Sequence, residues 1–218
     1  MASARPGRLD PHTYRRTLLC AYAVFWLALA IAPTSRPDWW LENLLVFAAV
    51  PLLVHPRVGA SLDGVAYTLL LAFLALHAVG AHYTYSEVPY DRWAQAWGMG
   101  SIDAALGFRR NQYDRLVHFA YGLWVTPAMV ALLDAHVPQR GLWRWLLPFA
   151  FMLSHSVIYE LVEWGAAEVF GGELGKAYLG TQGDEWDAQK DMALAALGAA
   201  LAIAACRHWR PAGRRRAA

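Results

Sequence analysis

Charged residues are scarce in this chain of 218 residues, where they make up 17% of the sequence against 57% for hydrophobic residues. Soluble domains carry about 25% charged residues, so this composition excludes an ordinary soluble domain. The hydrophobic residues are collected into long blocks, and roughly 17 to 25 such residues in a helix cross the hydrocarbon core of a bilayer. The sequence therefore predicts an all-α, polytopic membrane protein whose first partner is the lipid bilayer.

Cysteine is nearly absent, since the chain contains only Cys20 and Cys206. Both residues lie in apolar blocks toward the face that we assign below to the cytoplasm, where thiols stay reduced. We therefore predict no structural disulfide. The lack of cysteine near the polar residues described below also disfavours a thiolate metal site.

Internal repeats, low-complexity segments and a soluble second domain are also missing from the sequence. We predict a single transmembrane domain over residues 17–207, between a basic N-terminal segment (1–16) and a basic tail (208–218). About six helices are expected, with a long external loop between the third and the fourth. The six apolar blocks are Thr17–Pro33, Trp40–His55, Leu62–His82, Asp114–Asp134, Leu142–Phe170 and Ala188–Arg207.

Two of the predicted connections have an informative composition. The stretch DRWAQAWGMGSIDAAL, residues 91–106, is expected to form an amphipathic helix in the headgroup layer. The connection over residues 171–187 is rich in glycine, which is typical of a loop that flexes or passes close to another group.

Arginines flank the predicted membrane domain, with four in residues 1–16 and five in residues 207–216. Basic flanks stay in the cytoplasm, so with six crossings both termini are predicted to be cytoplasmic. Arginines beside a membrane span need no nucleic-acid partner, and none is predicted.

Acidic and histidine side chains interrupt the predicted helices near one end of the domain. A centrally placed Asp, Lys or Arg costs about 2.5 to 3.5 kcal/mol on insertion scales, so each such residue needs a physical reason. In the predicted topology these residues lie toward the outer face. We expect one polar site built by four helices, which contribute His77 and His82, then Asp114, His118 and Tyr121, then His155, Tyr159, Glu160 and Glu163, and finally Asp184, Asp187 and Asp191.

Several of these residues also have a purely structural interpretation. Asp184 and Asp187 suit the start of a helix, where acids complement the helix dipole. Asp114 could pair with Arg110 or Arg115, His118 could hydrogen-bond across helices, and His77 could be a packing residue. The Glu160 and Glu163 pair is harder to explain in this way, because two carboxylates one turn apart in an apolar helix repel unless a proton, a cation or a metal ion intervenes.

Four segments carry a resemblance to a known family: HAVGAHYTYSEVP, YDRLVHFAYG, YELVEW and LGTQGDEWDAQKDM. The chain resembles the bacterial inner-membrane family often called YjdF from the second helix onward, which implies a multi-pass protein of the bacterial inner membrane. More distantly, Asp-Arg-x-x-His followed by a helix with Glu160 and by an Asp-x-x-x-Asp helix start is similar to the VanZ-like proteins, one of which is linked to teicoplanin resistance. VanZ-like proteins tend to have fewer helices and a lysine where this chain has Arg115. Neither resemblance implies an established reaction.

One function that fits these residues is a metal-dependent hydrolase or transferase acting on a lipid-linked or envelope substrate. Carboxylate and imidazole groups together suit zinc, manganese or iron. Glu163 is the candidate general base and Arg115 the candidate clamp for an anionic group, although no H-E-x-x-H signature is present. The candidate ligands are Asp114, His118, Glu160, Asp187 and Asp191, and the residues expected around them are His77, His82, Tyr85, Tyr121, His155, Tyr159 and Asp184.

Two other functions remain open at this point. The acids and histidines could form a buried hydrogen-bond network in a protein that binds an envelope partner without turnover. They could also bind and release ions in a small ion-coupled carrier, although neither internal repeats nor broken helices are evident. Homo-oligomerisation is left open as well.

Overall fold

A computed structural model describes residues 10–209, apart from the side chains at 173, 177, 178 and 209. The outer parts of both basic flanks, residues 1–9 and 210–218, therefore lie outside the described residues. Within the described range the chain is all-helical and contains no strand, as the sequence predicts. Its helices are α1 (Pro11–Leu29), α2 (Arg36–Val54), α3 (Pro56–Ser61), α4 (Gly64–Tyr83), α5 (Tyr90–Ala96), α6 (Ile102–Leu106), α7 (Tyr113–His136), α8 (Trp143–Phe170), α9 (Gly172–Leu179) and α10 (Asp187–Trp209), with a 3₁₀ turn at Tyr85–Glu87.

Five of the helices found between residues 10 and 209 are long and apolar enough to cross a membrane, namely α2, α4, α7, α8 and α10. Helix α1 does not meet this criterion, yet it packs against α4. The Tyr14 hydroxyl lies 2.6 Å from the Thr68 hydroxyl near the start of α4, and His82 Nδ1 lies 2.7 Å from the Leu29 carbonyl oxygen near its end. The two helices are therefore parallel, and six crossings remain a prediction.

The second helix begins earlier than its apolar block predicts. It starts at Arg36, where the Ser35 hydroxyl accepts a hydrogen bond from the Asp38 amide at 3.3 Å. A proline in the first turn suits this start because its missing N–H has no helical partner there. Two acids, Asp38 and Glu42, lie on the buried side of α2, and Asp38 belongs to the part of the helix that precedes the predicted block.

The loop between α4 and α7 does not contain the single amphipathic helix predicted for residues 91–106. That prediction is wrong, because the chain forms the two short helices α5 and α6 instead. Gly98 and Gly100 between them have φ angles of 75° and 77°. This left-handed conformation ends a right-handed helix. Similarly, the connection predicted over residues 171–187 contains helix α9 before the turn that leads into α10.

Helices α7 and α10 pack closely against each other. A Cβ atom at Gly122 would collide with the Ala195 carbonyl oxygen, and one at Gly198 would collide with the Phe119 carbonyl oxygen. Small residues allow membrane helices to approach in this way. The first turn of α7 carries Asp114, and the first turn of α10 carries Asp187. Since Gly122 and Gly198 follow these acids on their own helices, the close contact brings the starts of α7 and α10 together.

Candidate metal and acid site

One end of the bundle collects the acidic side chains, and we call it the polar end. Helices α2, α7 and α10 begin there, while α4 and α8 end there. Five helices thus contribute to it, compared with four in the sequence prediction. Its buried ionisable residues are Asp38, Glu42, His77, His118, Glu160, Glu163, Asp187 and Asp191.

Asp114, His118 and Asp191 form the centre of the polar end, and we call them the acid–histidine cluster. One ligand atom from each of the three lies within 4.8 Å of the others. His118 Nε2 is 3.5 Å from Asp114 Oδ1 one turn earlier on α7 and 3.5 Å from Glu160 Oε1 on α8. Glu163, one turn after Glu160, is also buried. These separations suit a bound cation of about 2 Å ligand distance more closely than direct hydrogen bonds.

Two carboxylate oxygens at this centre have no hydrogen-bond partner among the described residues. They are Oδ1 of Asp191 and Oε1 of Glu160. Asp191 is only 2% exposed, and Glu160 is 9% exposed. A buried charged oxygen without a partner is costly, so these two atoms favour a bound cation or a protonated carboxyl at this centre.

Two arginines form ion pairs with the acids at the start of α10. We call Arg110, Arg115, Asp184 and Asp187 the arginine cluster. Arg110 binds both oxygens of Asp187, at 2.5 Å and 3.1 Å. Arg115 binds Asp184 and also lies 3.2 Å from Asp187. Both carboxylate oxygens of Asp187 therefore accept hydrogen bonds from arginine. The role of Asp187 as a metal ligand remains a prediction. Between residues 10 and 209 we find no ion pair that joins Asp114 to either arginine, which was the structural alternative for Asp114.

Asp184 is held in its charged form by its neighbours. The Lys190 ammonium donates to both of its oxygens, at 2.8 Å and 2.6 Å. This hydrogen bond, together with the Trp186 amide and Arg115, holds the pKa of the Asp184 carboxyl well below its usual range. Asp184 is thus part of an ion-pair network at the membrane boundary.

An amide pair reinforces the arginine cluster from the loop side. The backbone N–H of Asn111 donates to Gln182 Oε1 at 2.9 Å. In return, Gln182 Nε2 donates to the backbone carbonyl of Asn111 at 3.1 Å. Arg110 also donates to the Thr181 carbonyl at 2.8 Å. The loops before α7 and before α10 are therefore fastened together over the polar end.

Sequence reasoning missed Asp38 and Glu42 of α2. Glu42 is 4% exposed, and its Oε2 accepts a hydrogen bond from the Tyr159 hydroxyl of α8 at 3.1 Å. Asp38 is 1% exposed, and neither of its oxygens finds a hydrogen-bond partner within the part of the chain that is described. Their spacing of four residues, which places them on one helix face, was the available signal.

His77 lies beside the site as a neutral hydrogen-bonding residue. Its Nε2 lies 3.0 Å from the Glu42 backbone carbonyl and must donate, so its Nδ1 accepts from the Tyr85 hydroxyl. Burial raises the pKa of Tyr85 well above its usual value, which keeps the hydroxyl protonated as a donor. These two hydrogen bonds link α2, α4 and the turn after α4.

The remaining predicted residues separate into two groups. Tyr121 and His155 stack with ring centroids 5.6 Å apart, and both line the cavity beside the acid–histidine cluster. His82 instead binds the end of α1 through the Leu29 carbonyl. His82 was predicted to lie around the site, but its hydrogen bond joins it to α1 and not to the acid–histidine cluster.

Two adjoining cavities lie on this side of the bundle, and the inner one is lined by residues of the acid–histidine cluster. The inner cavity, of about 50 Å³, is lined by Asp114, His118, Ser156 and Tyr159 on its polar side. The lateral groove, of about 190 Å³, lies between α2 and α8. Leu45, His155 and Tyr159 line both, so the two spaces adjoin. The site thus has room for a small polar group beside the acids.

Comparison with known proteins places this arrangement in a family. The family model described as "Predicted membrane protein (DUF2238)" matches residues 14–212. The chain belongs to this family. It is 38% identical over 205 residues to "Inner membrane protein YjdF" of Escherichia coli (strain K12), a match that covers 91% of this chain and 88% of the relative. No solved structure matches the chain.

Family membership confirms the predicted resemblance to YjdF and identifies the chain as an integral, multi-pass protein of the inner membrane. The match spans all five apolar helices and every residue of the polar end. The more distant similarity to VanZ-like proteins and the cytoplasmic position of the termini remain predictions.

Proposed function

We propose that the acid–histidine cluster binds a divalent metal ion, with Asp114, His118 and Asp191 as ligands and Glu160 as a further ligand. The observation that carries this proposal is the convergence of the three ligand atoms within 4.8 Å. The unpartnered oxygens of Asp191 and Glu160 support it. A divalent cation would neutralise carboxylates that otherwise repel each other in a buried setting.

The ligand types restrict the ion. Carboxylate oxygen and imidazole nitrogen suit zinc, manganese or iron(II). The ligand group among the described residues contains no cysteine, since Cys20 lies in the middle of α1 and Cys206 near the end of α10. When bound, such an ion polarises a substrate oxygen or activates water as a nucleophile. The inner cavity adjoins two of the proposed ligands, Asp114 and His118, and therefore offers a place for that substrate group.

The chemistry that fits this site is hydrolysis or group transfer on a lipid-linked or envelope substrate. Glu163 is the proposed general base, since it is buried on the same face of α8 as Glu160. Arg115 is the proposed anion clamp, but it could act on a substrate only by exchanging its bond to Asp184 or Asp187. Its Nε has no hydrogen-bond partner among residues 10–209, which leaves one donor available without such an exchange.

The direct test is the metal content of protein purified without chelator. We expect a stoichiometric divalent metal in the wild type and its loss in Asp191→Asn, because the substitution removes a charged ligand from the cluster. Glu185→Gln is the matched control, since Glu185 is an exposed acid next to the arginine cluster. Folded wild-type protein that takes up no zinc, manganese or iron would rule out the metal site.

A second candidate is a buried hydrogen-bond network without turnover. The observation that favours it is the pairing already present at the polar end, where arginines satisfy Asp187 and Tyr159 satisfies Glu42. In that case a proton, not a metal, would separate Glu160 from its neighbours. Glu160→Gln would then keep the thermal stability of the wild type, whereas under the metal proposal it would weaken metal binding.

A further inference from the structure

The arginine cluster closes the polar end toward the loops. The side chain of Asp187 is 5% exposed and that of Arg110 is 12% exposed, while the Asn111 and Gln182 pair ties the two loops together. A substrate that approached from the aqueous side would have to break these contacts. The direct route to the acid–histidine cluster from the water phase is therefore obstructed.

The lateral groove offers a different route. Its walls come from α2 and α8, two helices that are long and apolar enough to span the membrane. Much of α8 lies at the surface of the protein, since only 22% of its most hydrophobic 18-residue stretch is buried. Leu44, Ile158 and Val162 line the groove with 60%, 57% and 51% exposure. These surfaces contact lipid chains when the helices cross a membrane.

The inner end of this route carries an unused hydrogen-bond donor. Ser156 lines the inner cavity and is 2% exposed. Its hydroxyl has no hydrogen-bond partner in the described range. A buried hydroxyl without a partner is uncommon, so its position beside the cavity points to a polar ligand group.

We propose that a phosphate-bearing membrane lipid binds here, with one apolar chain in the lateral groove and its phosphate in the inner cavity. This inference rests on the proposed metal site, because an anionic group beside so many carboxylates needs the cation as its partner. Hard phosphate oxygens suit a divalent ion held by carboxylates and imidazole. The Ser156 hydroxyl donates a further hydrogen bond to the phosphate.

The depth of the site agrees with this class of ligand. Asp114 lies in the first turn of α7, and Asp191 lies one turn after the start of α10. The cluster is therefore near the ends of the spanning helices, close to the depth at which lipid phosphates lie, whereas the groove extends along their apolar parts. Tyr159 and Glu42 join α8 to α2 where the two cavities meet. Their hydrogen bond therefore lies between the space for the apolar lipid chain and the space for the phosphate.

The test is lipid binding to the full chain in detergent, loaded with manganese and followed by calorimetry. The probe is dioctanoyl phosphatidic acid, compared with dioctanoylglycerol, which lacks the phosphate, and with inorganic phosphate, which lacks the chains. We expect phosphatidic acid to bind at least about tenfold more tightly than either comparison compound. Chelation of the metal is expected to abolish the difference between phosphatidic acid and dioctanoylglycerol.

Two matched pairs of variants on α8 sharpen the test. Ile158→Trp fills the groove and should weaken binding by about tenfold or more, whereas Leu161→Trp, at an equally exposed residue outside the groove, should not. Ser156→Ala should weaken binding by about fivefold through one lost hydrogen bond. Ser154→Ala, at an exposed serine of the same helix, should leave it unchanged.

Metal content measured on the same samples separates the two proposals. If the wild type holds no metal, the proposed metal site is wrong and this inference fails with it. If the wild type holds metal but binds phosphatidic acid no better than inorganic phosphate, or equally well in Ile158→Trp and Leu161→Trp, only the lipid inference is overturned. Cross-linking of a second copy of the chain through the groove, in place of lipid, would overturn it as well.

Discussion

Gly122 of α7 lies directly against the backbone carbonyl of Ala195 in α10. This contact sets the distance between α7, whose first turn carries Asp114, and α10, where Asp191 lies one turn after the start. The geometry of the acid–histidine cluster therefore depends on a glycine that lies two turns away from Asp114.

The first prediction concerns this contact. Gly122→Ala places a Cβ atom against backbone that cannot rotate away, so α10 must shift; overpacking of this kind costs about 1 to 3 kcal/mol. We expect a lower unfolding temperature in detergent and a weaker affinity for metal. Gly165→Ala on α8 is the control, because a Cβ atom there meets nothing within 4 Å. That control should be neutral or should gain up to about 1 kcal/mol from helix propensity. Equal stability of the two variants would contradict the prediction.

The second prediction concerns the pH dependence of the arginine cluster. Because the pKa of Asp184 is lowered in the folded protein, chiefly by Lys190, its stabilising contribution is present above the unfolded pKa of about 4 and is lost as the pH falls below it. The difference in unfolding temperature between wild type and Asp184→Asn should therefore be largest near neutral pH and should shrink below about pH 4.

Lys190→Gln supplies the control for that titration. Removal of the ammonium raises the folded pKa of Asp184 toward its unfolded value, so the difference between the variants with and without the Asp184 carboxylate should be smaller at neutral pH. A difference that stays constant between pH 7 and pH 3 would show that the Asp184 charge is not what stabilises the cluster.

Much of the fold could be predicted from the sequence because apolar length is a local property. Helices α4, α7 and α8 were each predicted to within two residues at both ends. The start of α2 was missed because the apolar run begins at Trp40, whereas the helix is capped at Ser35. Asp38 was lost from the predicted site for this reason, whereas Glu42 lies inside the predicted block and was overlooked there.

The partners within the site were less predictable because they join distant parts of the chain. Asp187 and Asp191 lie one turn apart on α10, and their spacing does not distinguish them. Only the folded loops show that Asp187 lies against Arg110, a residue 77 positions earlier. Asp191 lies instead beside Asp114 and His118 in the acid–histidine cluster. Spacing thus identified the helix face but not the division of roles along it.

The third prediction concerns topology and the number of crossings. Six crossings place both termini on one face of the membrane, whereas five crossings without α1 place them on opposite faces. We expect a reporter after Ala218 and a tag before Met1 both to be cytoplasmic. A reporter inserted after Gly107, an exposed residue in the loop before α7, should be external. A tag before Met1 that is external, with a cytoplasmic reporter after Ala218, would show five crossings.

The last prediction compares two buried tyrosine hydroxyls. The Tyr85 hydroxyl donates to His77 Nδ1, and His77 is 1% exposed, so Tyr85→Phe leaves a buried nitrogen without a donor. The loss should cost about 1 to 3 kcal/mol and should loosen α2, because the other ring nitrogen of His77 binds the Glu42 carbonyl. Tyr22→Phe removes a buried hydroxyl that has no hydrogen-bond partner among residues 10–209, so that variant should be as stable as the wild type or more stable. Thermal unfolding of the two variants in the same detergent measures the contrast. If Tyr22→Phe is the more destabilised of the two, the hydrogen bond between Tyr85 and His77 does not stabilise the polar end.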